Sequence, residues 1–149
     1  MTHPLLTNSS GGTPFEDGAD HGRVLISGES TSNSYSLMEL TVAPQGPDAG
    51  FGAHAHRDIE EVFVVRSGIL EFLVDQEITP VTAGDVVRVP PGVRHGYRNN
   101  SPEAVELLVW FSPGGFEQLF VTYRTNQATP DADGFVKEAT KRFNSSFEQ

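Results

Sequence analysis

The 149-residue chain contains no cysteine, so it has neither a disulfide framework nor a thiolate to act as nucleophile or metal ligand. Imidazole and carboxylate remain as its strong metal donors. Basic residues are also scarce, ten against twenty acidic ones, and the formal charge of -10 disfavours nonspecific attraction to nucleic acid or anionic lipid. No apolar run approaches membrane-spanning length, and the first eight residues, Met1 to Asn8, lack both the basic segment and the apolar run of a secretory signal. These absences leave the expectation of a cytoplasmic protein with a small-molecule partner, no nucleic acid and no membrane.

What is present is turn chemistry. Fifteen glycines and ten prolines punctuate a chain that is 37% hydrophobic, a composition that fits a globular domain of many short strands. The length suits one domain with a self-sufficient core. Residues 1–21, rich in Thr, Asn, Ser and Gly, read as a flexible N-terminal arm. Strands are then expected at Val24 to Ile26, Tyr35 to Val42, Glu61 to Arg66, Ile69 to Val74, Asp85 to Val89 and Val105 to Phe111, with Gly, Pro and Asn turns between them. Met38, Leu40 and Val42 share one face of their strand while Glu39 and Thr41 share the other. Residues 113–149 read as a helical extension. Phe116, Leu119, Phe120 and Tyr123 form one helical stripe, and Thr129-Pro130-Asp131 supplies an N-cap before Phe135, Ala139 and Phe143.

Three of the five histidines fall beside strand ends. His54 and His56 are two apart, so on an extended strand both rings point to one face and can converge on one ion. Glu60 and Glu61 both offer a carboxylate. Arg66 belongs in solvent, which sends Glu61, Phe63 and Val65 inward and favours Glu61. Pro90-Pro91-Gly92 then reverses the chain to present His95 as a fourth donor. Three imidazoles and one carboxylate suit a divalent ion such as Fe, Mn, Ni, Cu or Zn, and octahedral coordination would leave two positions open.

These residues resemble the two motifs of the cupin superfamily. His54, His56, Glu61 and Gly68 match the first; Gly84, Pro90, Gly92, His95 and Asn99 match the second. One departure is Asp48, which stands where the family has a glycine six places before the first histidine, although Gly50 and Gly52 lie nearby. The resemblance implies an all-β jelly roll or barrel over residues 22–112, short C-terminal helices, and a metal bound inside by His54, His56, Glu61 and His95. The tail beginning Ser112-Pro-Gly-Gly-Phe-Glu-Gln-Leu-Phe120 is similar to that of single-domain quercetin 2,3-dioxygenase-like cupins.

The expected activity is therefore a metal-dependent dioxygenase acting on an enolic or phenolic molecule, with Glu61 as base as well as ligand. Apolar pocket lining is expected from Met38, Leu40, Phe63, Phe72, Tyr97, Val109 and Phe111. Two alternatives stand beside it: a non-oxidative cyclase or isomerase, and a ligand-binding or sensor module without catalysis. Val62 and Val64 take the outward phase and need a cover, and the resemblance implies a homodimer.

Overall fold

The protein is described here from a computed structural model covering residues 6–125 and 131–148. Strand β1 (Thr13–Asp17) turns at Gly18 and Ala19 into β2 (Asp20–Ile26), and a short 3-10 turn at Gly28–Thr31 leads to β3 (Ser36–Val42). The chain continues through β4 (His54–His56), β5 (Glu60–Ser67), β6 (Ile69–Val74), β7 (Glu77–Thr82), β8 (Val86–Val89), β9 (His95–Arg98) and β10 (Val105–Ser112). Helices α1 (Glu117–Arg124) and α2 (Ala132–Phe143) follow, then β11 (Ser145–Phe147).

Two antiparallel sheets result. One has the order β1-β2-β3-β10-β5-β8 and the other β11-β4-β9-β6-β7. This is the all-β jelly roll that the sequence resemblance implies. Period-two patterning drives it: Ser36, Met38, Leu40 and Val42 are buried while Leu37, Glu39 and Thr41 are not, and Glu61, Phe63 and Val65 are buried while Arg66 is exposed. The inward faces meet in one core that includes Phe15, Leu40, Phe63, Leu107 and Phe111, with Phe116, Leu119, Phe135 and Ala139 of the helical segment added at one end.

Three expectations need correction. The segment read as a flexible arm holds a strand: β1 pairs with β2 over five residues, and Phe15 is 1% exposed against Phe120. One large apolar side chain in a run of polar and turn residues anchors that edge strand. The extension after residue 112 is not purely helical, because β11 returns to pair with β4. Finally, Thr129 and Pro130 lie outside the described residues, and Asp131 is the N-cap of α2. Its side chain accepts from the Gly134 N–H at 3.0 Å. Gly134 fits for want of a side chain, since a Cβ there would come within 2.5 Å of Asp131 Oδ2 and 2.8 Å of the Tyr123 ring.

On the outer face of the six-stranded sheet, cross-strand rows run from Leu37 through Trp110 to Val62 and from Leu108 through Val64 to Val86. Val86 is 60% exposed and the others are half-buried. No helix among the described residues is long and apolar enough to cross a membrane.

Candidate metal centre and its cavity

Strand β4 supplies two imidazoles from one face, and its antiparallel pairing with β9 sets His54 opposite His95. Glu61 enters from the start of β5. The turn before β9 is fixed by Gly92, whose φ of +84° is disfavoured for residues with a Cβ, and whose N–H donates to the His56 carbonyl at 2.7 Å. As a result, His54, His56, Glu61 and His95 each offer a ligand atom, all within 4.8 Å of one another. Glu60 points away, and its carboxylate is taken by Arg88 on the outer face.

Each imidazole is oriented through Nδ1. His54 Nδ1 donates to the Gly52 carbonyl at 2.8 Å and His95 Nδ1 to the Val93 carbonyl at 2.9 Å. His56 Nδ1 lies 2.6 Å from the Ser145 hydroxyl, which itself donates to the Phe143 carbonyl at 3.5 Å and so accepts from the ring. Holding Nδ1 as donor turns the three Nε2 atoms toward the centre, as in metal-binding histidines.

The charges fit an ion. His95 Nε2 is hydrogen-bonded to Glu61 Oε2 at 2.9 Å, whereas His56 Nε2, also 2.9 Å from Glu61 Oε1, lacks hydrogen-bond alignment and is a buried nitrogen without a partner among the described residues. Such an orphan is costly unless an electrophile completes it. Burial lowers the His54 pKa to about 4, and the neighbouring His95 adds to that effect, which keeps the ring neutral. Burial opposes ionisation of Glu61, but the two imidazoles outweigh it and hold the carboxyl well below the usual carboxylate range. For His95 burial likewise opposes the charged form, and Glu61 outweighs it to raise the pKa. A neutral imidazole and an ionised carboxylate are the forms that bind metal; His54 and Glu61 are in those forms, and His95 would give up to an ion the Nε2 proton it shares with Glu61.

The last motif residue, Asn99, is fully buried and acts as a clamp. It donates to the Val42 and Glu103 carbonyls at 3.0 and 2.8 Å, and its backbone N–H takes Gln45. Beside it, Arg98 donates to the carbonyls of Pro47 and Ala49 and stacks 4.5 Å over Phe51. These contacts shape the loop before His54, where Asp48 replaces the expected glycine.

The cluster opens on a cavity of about 320 Å³. Met38, Leu40, Phe63, Tyr97, Val109 and Phe111 line it. Phe72 does not; it is 1% exposed and packs edge-on behind Phe63 with ring centroids 4.9 Å apart. Sequence reasoning missed the wall built by the C-terminal segment: Phe116, Phe120, Phe135 and Phe147 line the cavity, and Phe147 stacks on His54 at 5.3 Å. The phenylalanines of the helical stripes were a signal for packing. Nothing in the local sequence marked Ser145, Asp17, Asp20 or Arg124.

A family model described as "Cupin domain" matches residues 38–111. Quercetin 2,3-dioxygenase from Bacillus subtilis (strain 168) is 32% identical over 117 residues, 78% of this chain; those residues amount to 34% of the relative, so the chain spans about a third of its length. A predicted oxalate decarboxylase from Thermotoga maritima superposes with a TM-score of 0.64 at 23% identity, over 73% of this chain and 99% of that one. A nucleoside dehydratase from Streptomyces gives 0.60 at 19% identity, over 78% and 88%. A sugar phosphate isomerase from Silicibacter pomeroyi gives 0.59 at 17%, over 72% and 75%. At these identities the structural likeness establishes the fold alone.

Proposed function

Because this chain belongs to the cupin superfamily, a fold that hosts many chemistries, we propose from the site itself that it is a metal-dependent dioxygenase acting on an enolic or phenolic small molecule. One observation carries the reading: three imidazoles and one carboxylate converge, with an orphaned imidazole nitrogen, and His54 and Glu61 of that cluster line an aromatic-walled cavity. The similarity to quercetin 2,3-dioxygenase supports the oxidative form.

His54, His56, Glu61 and His95 would hold a divalent Fe, Mn, Ni, Cu or Zn ion, which when bound supplies Lewis acidity and, for a redox-active metal, dioxygen chemistry. Glu61 is the carboxylate placed at the cavity wall to accept the proton of a substrate hydroxyl; its imidazole neighbours make it a weak base, so the hydroxyl would need to be acidified by a bound ion to leave as the more electron-rich anion. The Gly52 and Val93 carbonyls and the Ser145 hydroxyl keep the three rings from rotating away. Phe63, Phe111, Phe116 and Phe135 exclude water and present flat faces against which an aromatic substrate packs.

Oxygen uptake with a panel of flavonols, diketones and catechols, each with Fe, Mn, Ni or Cu, tests the proposal. Uptake with at least one pair is expected; none with any pair defeats it. The same donor set around a Lewis-acidic ion also suits a second, non-oxidative reading, a cyclase or isomerase, which predicts turnover under strict anaerobiosis. A protein that neither retains metal nor turns over any substrate would be a ligand cup.

We extend the proposal to a homodimer, in which a second copy covers the outward rows around Val62, Val64 and Trp110. Light scattering should report the mass of two chains.

A further inference from the structure

The cavity contains a polar group that the chemistry above does not use. Asp17 and Asp20 flank the turn between β1 and β2, Arg124 ends α1, and all three line the cavity. Arg124 Nη1 donates to Asp17 Oδ1 at 2.7 Å while the guanidinium sits 4.2 Å from the centre of the Phe135 ring. Asp20 Oδ1 accepts the Ala43 N–H at 2.9 Å, and its second oxygen has no protein donor among the described residues. This end of the cavity thus carries two carboxyl groups and one guanidinium, which pairs with Asp17 and stacks on Phe135 while its Nε lies buried without a partner among the described residues. Tyr97, also lining the cavity, lies within electrostatic reach of Asp20, Asp17 and Glu61; burial first, then those charges, push its phenol up, so it stays a neutral hydroxyl.

None of Asp17, Asp20 and Arg124 falls within residues 38–111, the segment matched by the family model. This polar end is therefore built from the segments that flank the shared core. The cavity, about 320 Å³, is roughly twice the ~150 Å³ that admits one benzene ring, which gives room for a two-ring system.

We propose that Asp20 determines specificity: its unshared oxygen accepts a hydrogen bond from a hydroxyl on an aromatic ligand, and the excess of carboxyl over guanidinium groups there excludes ligands bearing a carboxylate or phosphate at that end. This rests on the reading of the cavity as a substrate pocket. A half-buried carboxylate that a ligand covers without supplying a donor is penalised, so an ether in place of the hydroxyl binds less well. A second anion meets like charge at low local dielectric.

Calorimetric titration of the full chain with naphthalene, 2-naphthol, 2-methoxynaphthalene and 2-naphthoate tests the inference. It is run on the protein as purified and again after chelation, so that oxygen–metal bonds can be separated from the protein's own preference. The wild type should bind 2-naphthol at least about tenfold more tightly than 2-methoxynaphthalene, with 2-naphthoate weakest. Asp20→Asn keeps an acceptor for the Ala43 N–H and removes the charge. In that variant 2-naphthol affinity should fall severalfold while 2-naphthoate affinity rises, and Asp20→Ser should shift both in the same directions. Opposite movement of two ligands is a result that general damage to the fold does not produce. Equal binding of naphthol and its ether by the wild type, or parallel changes for naphthol and naphthoate in the variants, overturns the role of Asp20 while leaving the metal centre standing. Failure of naphthalene itself to bind removes the pocket reading and this inference together.

Discussion

At the scale of single residues, the four candidate ligands are separable from their neighbours by experiment. Glu61→Ala and His95→Ala are each expected to abolish stoichiometric metal content by elemental analysis, while Glu60→Ala, which touches only the exposed Arg88 pair, should retain it. Full retention in both ligand variants would refute the site. Ser145 is the sharper probe because it cannot reach an ion that His56 binds through Nε2. Ser145→Ala leaves the His56 Nδ1–H unpartnered and should weaken metal affinity by about 10- to 100-fold, measured by competition with a chelator. The four ligands were legible because their spacing is local: two histidines two positions apart, strand phase choosing Glu61, a Pro-Gly turn before His95. Ser145 lies 89 positions from His56, and no local pattern encodes such a contact.

At the scale of elements, strands were legible where one face is buried and the other wet, as in β3 and β5. They were not legible at the edges. β7 lies outside the expected strand set; it carries Pro80, and as an outer strand whose residues Glu77 to Pro80 are exposed it tolerates a residue without an N–H. In β1 the alternation rests on Phe15 alone. Phe15→Ala should therefore cost about 3–5 kcal/mol in denaturant unfolding, far more than a change in a flexible arm would. A loss under 1 kcal/mol would mean that β1 is not docked in solution. The helical segment was read as packing only. Its aromatic stripe does pack, but Phe116, Phe120 and Phe135 also face the cavity, because the jelly roll lacks a wall on that side and the helices supply it.

At the scale of the whole molecule, the metal centre is a stability element as well as a candidate chemical one. Three imidazoles and a carboxylate are withdrawn from water there, and without an ion the buried His56 Nε2 has no hydrogen-bond partner among the described residues. Zinc at 1,000 times its dissociation constant should raise stability by about 4 kcal/mol, on the order of 10 °C in Tm by calorimetry, and a chelator should reverse the gain. His95→Ala should lose the response, and a metal-induced shift that survives that variant would place the ion elsewhere.

The pairing of β11 with β4 has a temporal consequence. His56 gains its hydrogen-bond partner and His54 its stacking ring only when residues 145–147 arrive, long after the histidines themselves have been synthesised. Until then β4 has a free edge and the rings can rotate. Metal capture by these residues would therefore come late in biogenesis, after a long loop closure of the kind that makes such contacts slow to form. A nascent chain stalled before Ser145 would expose the same imidazoles to any passing cation, but without the geometry to keep it.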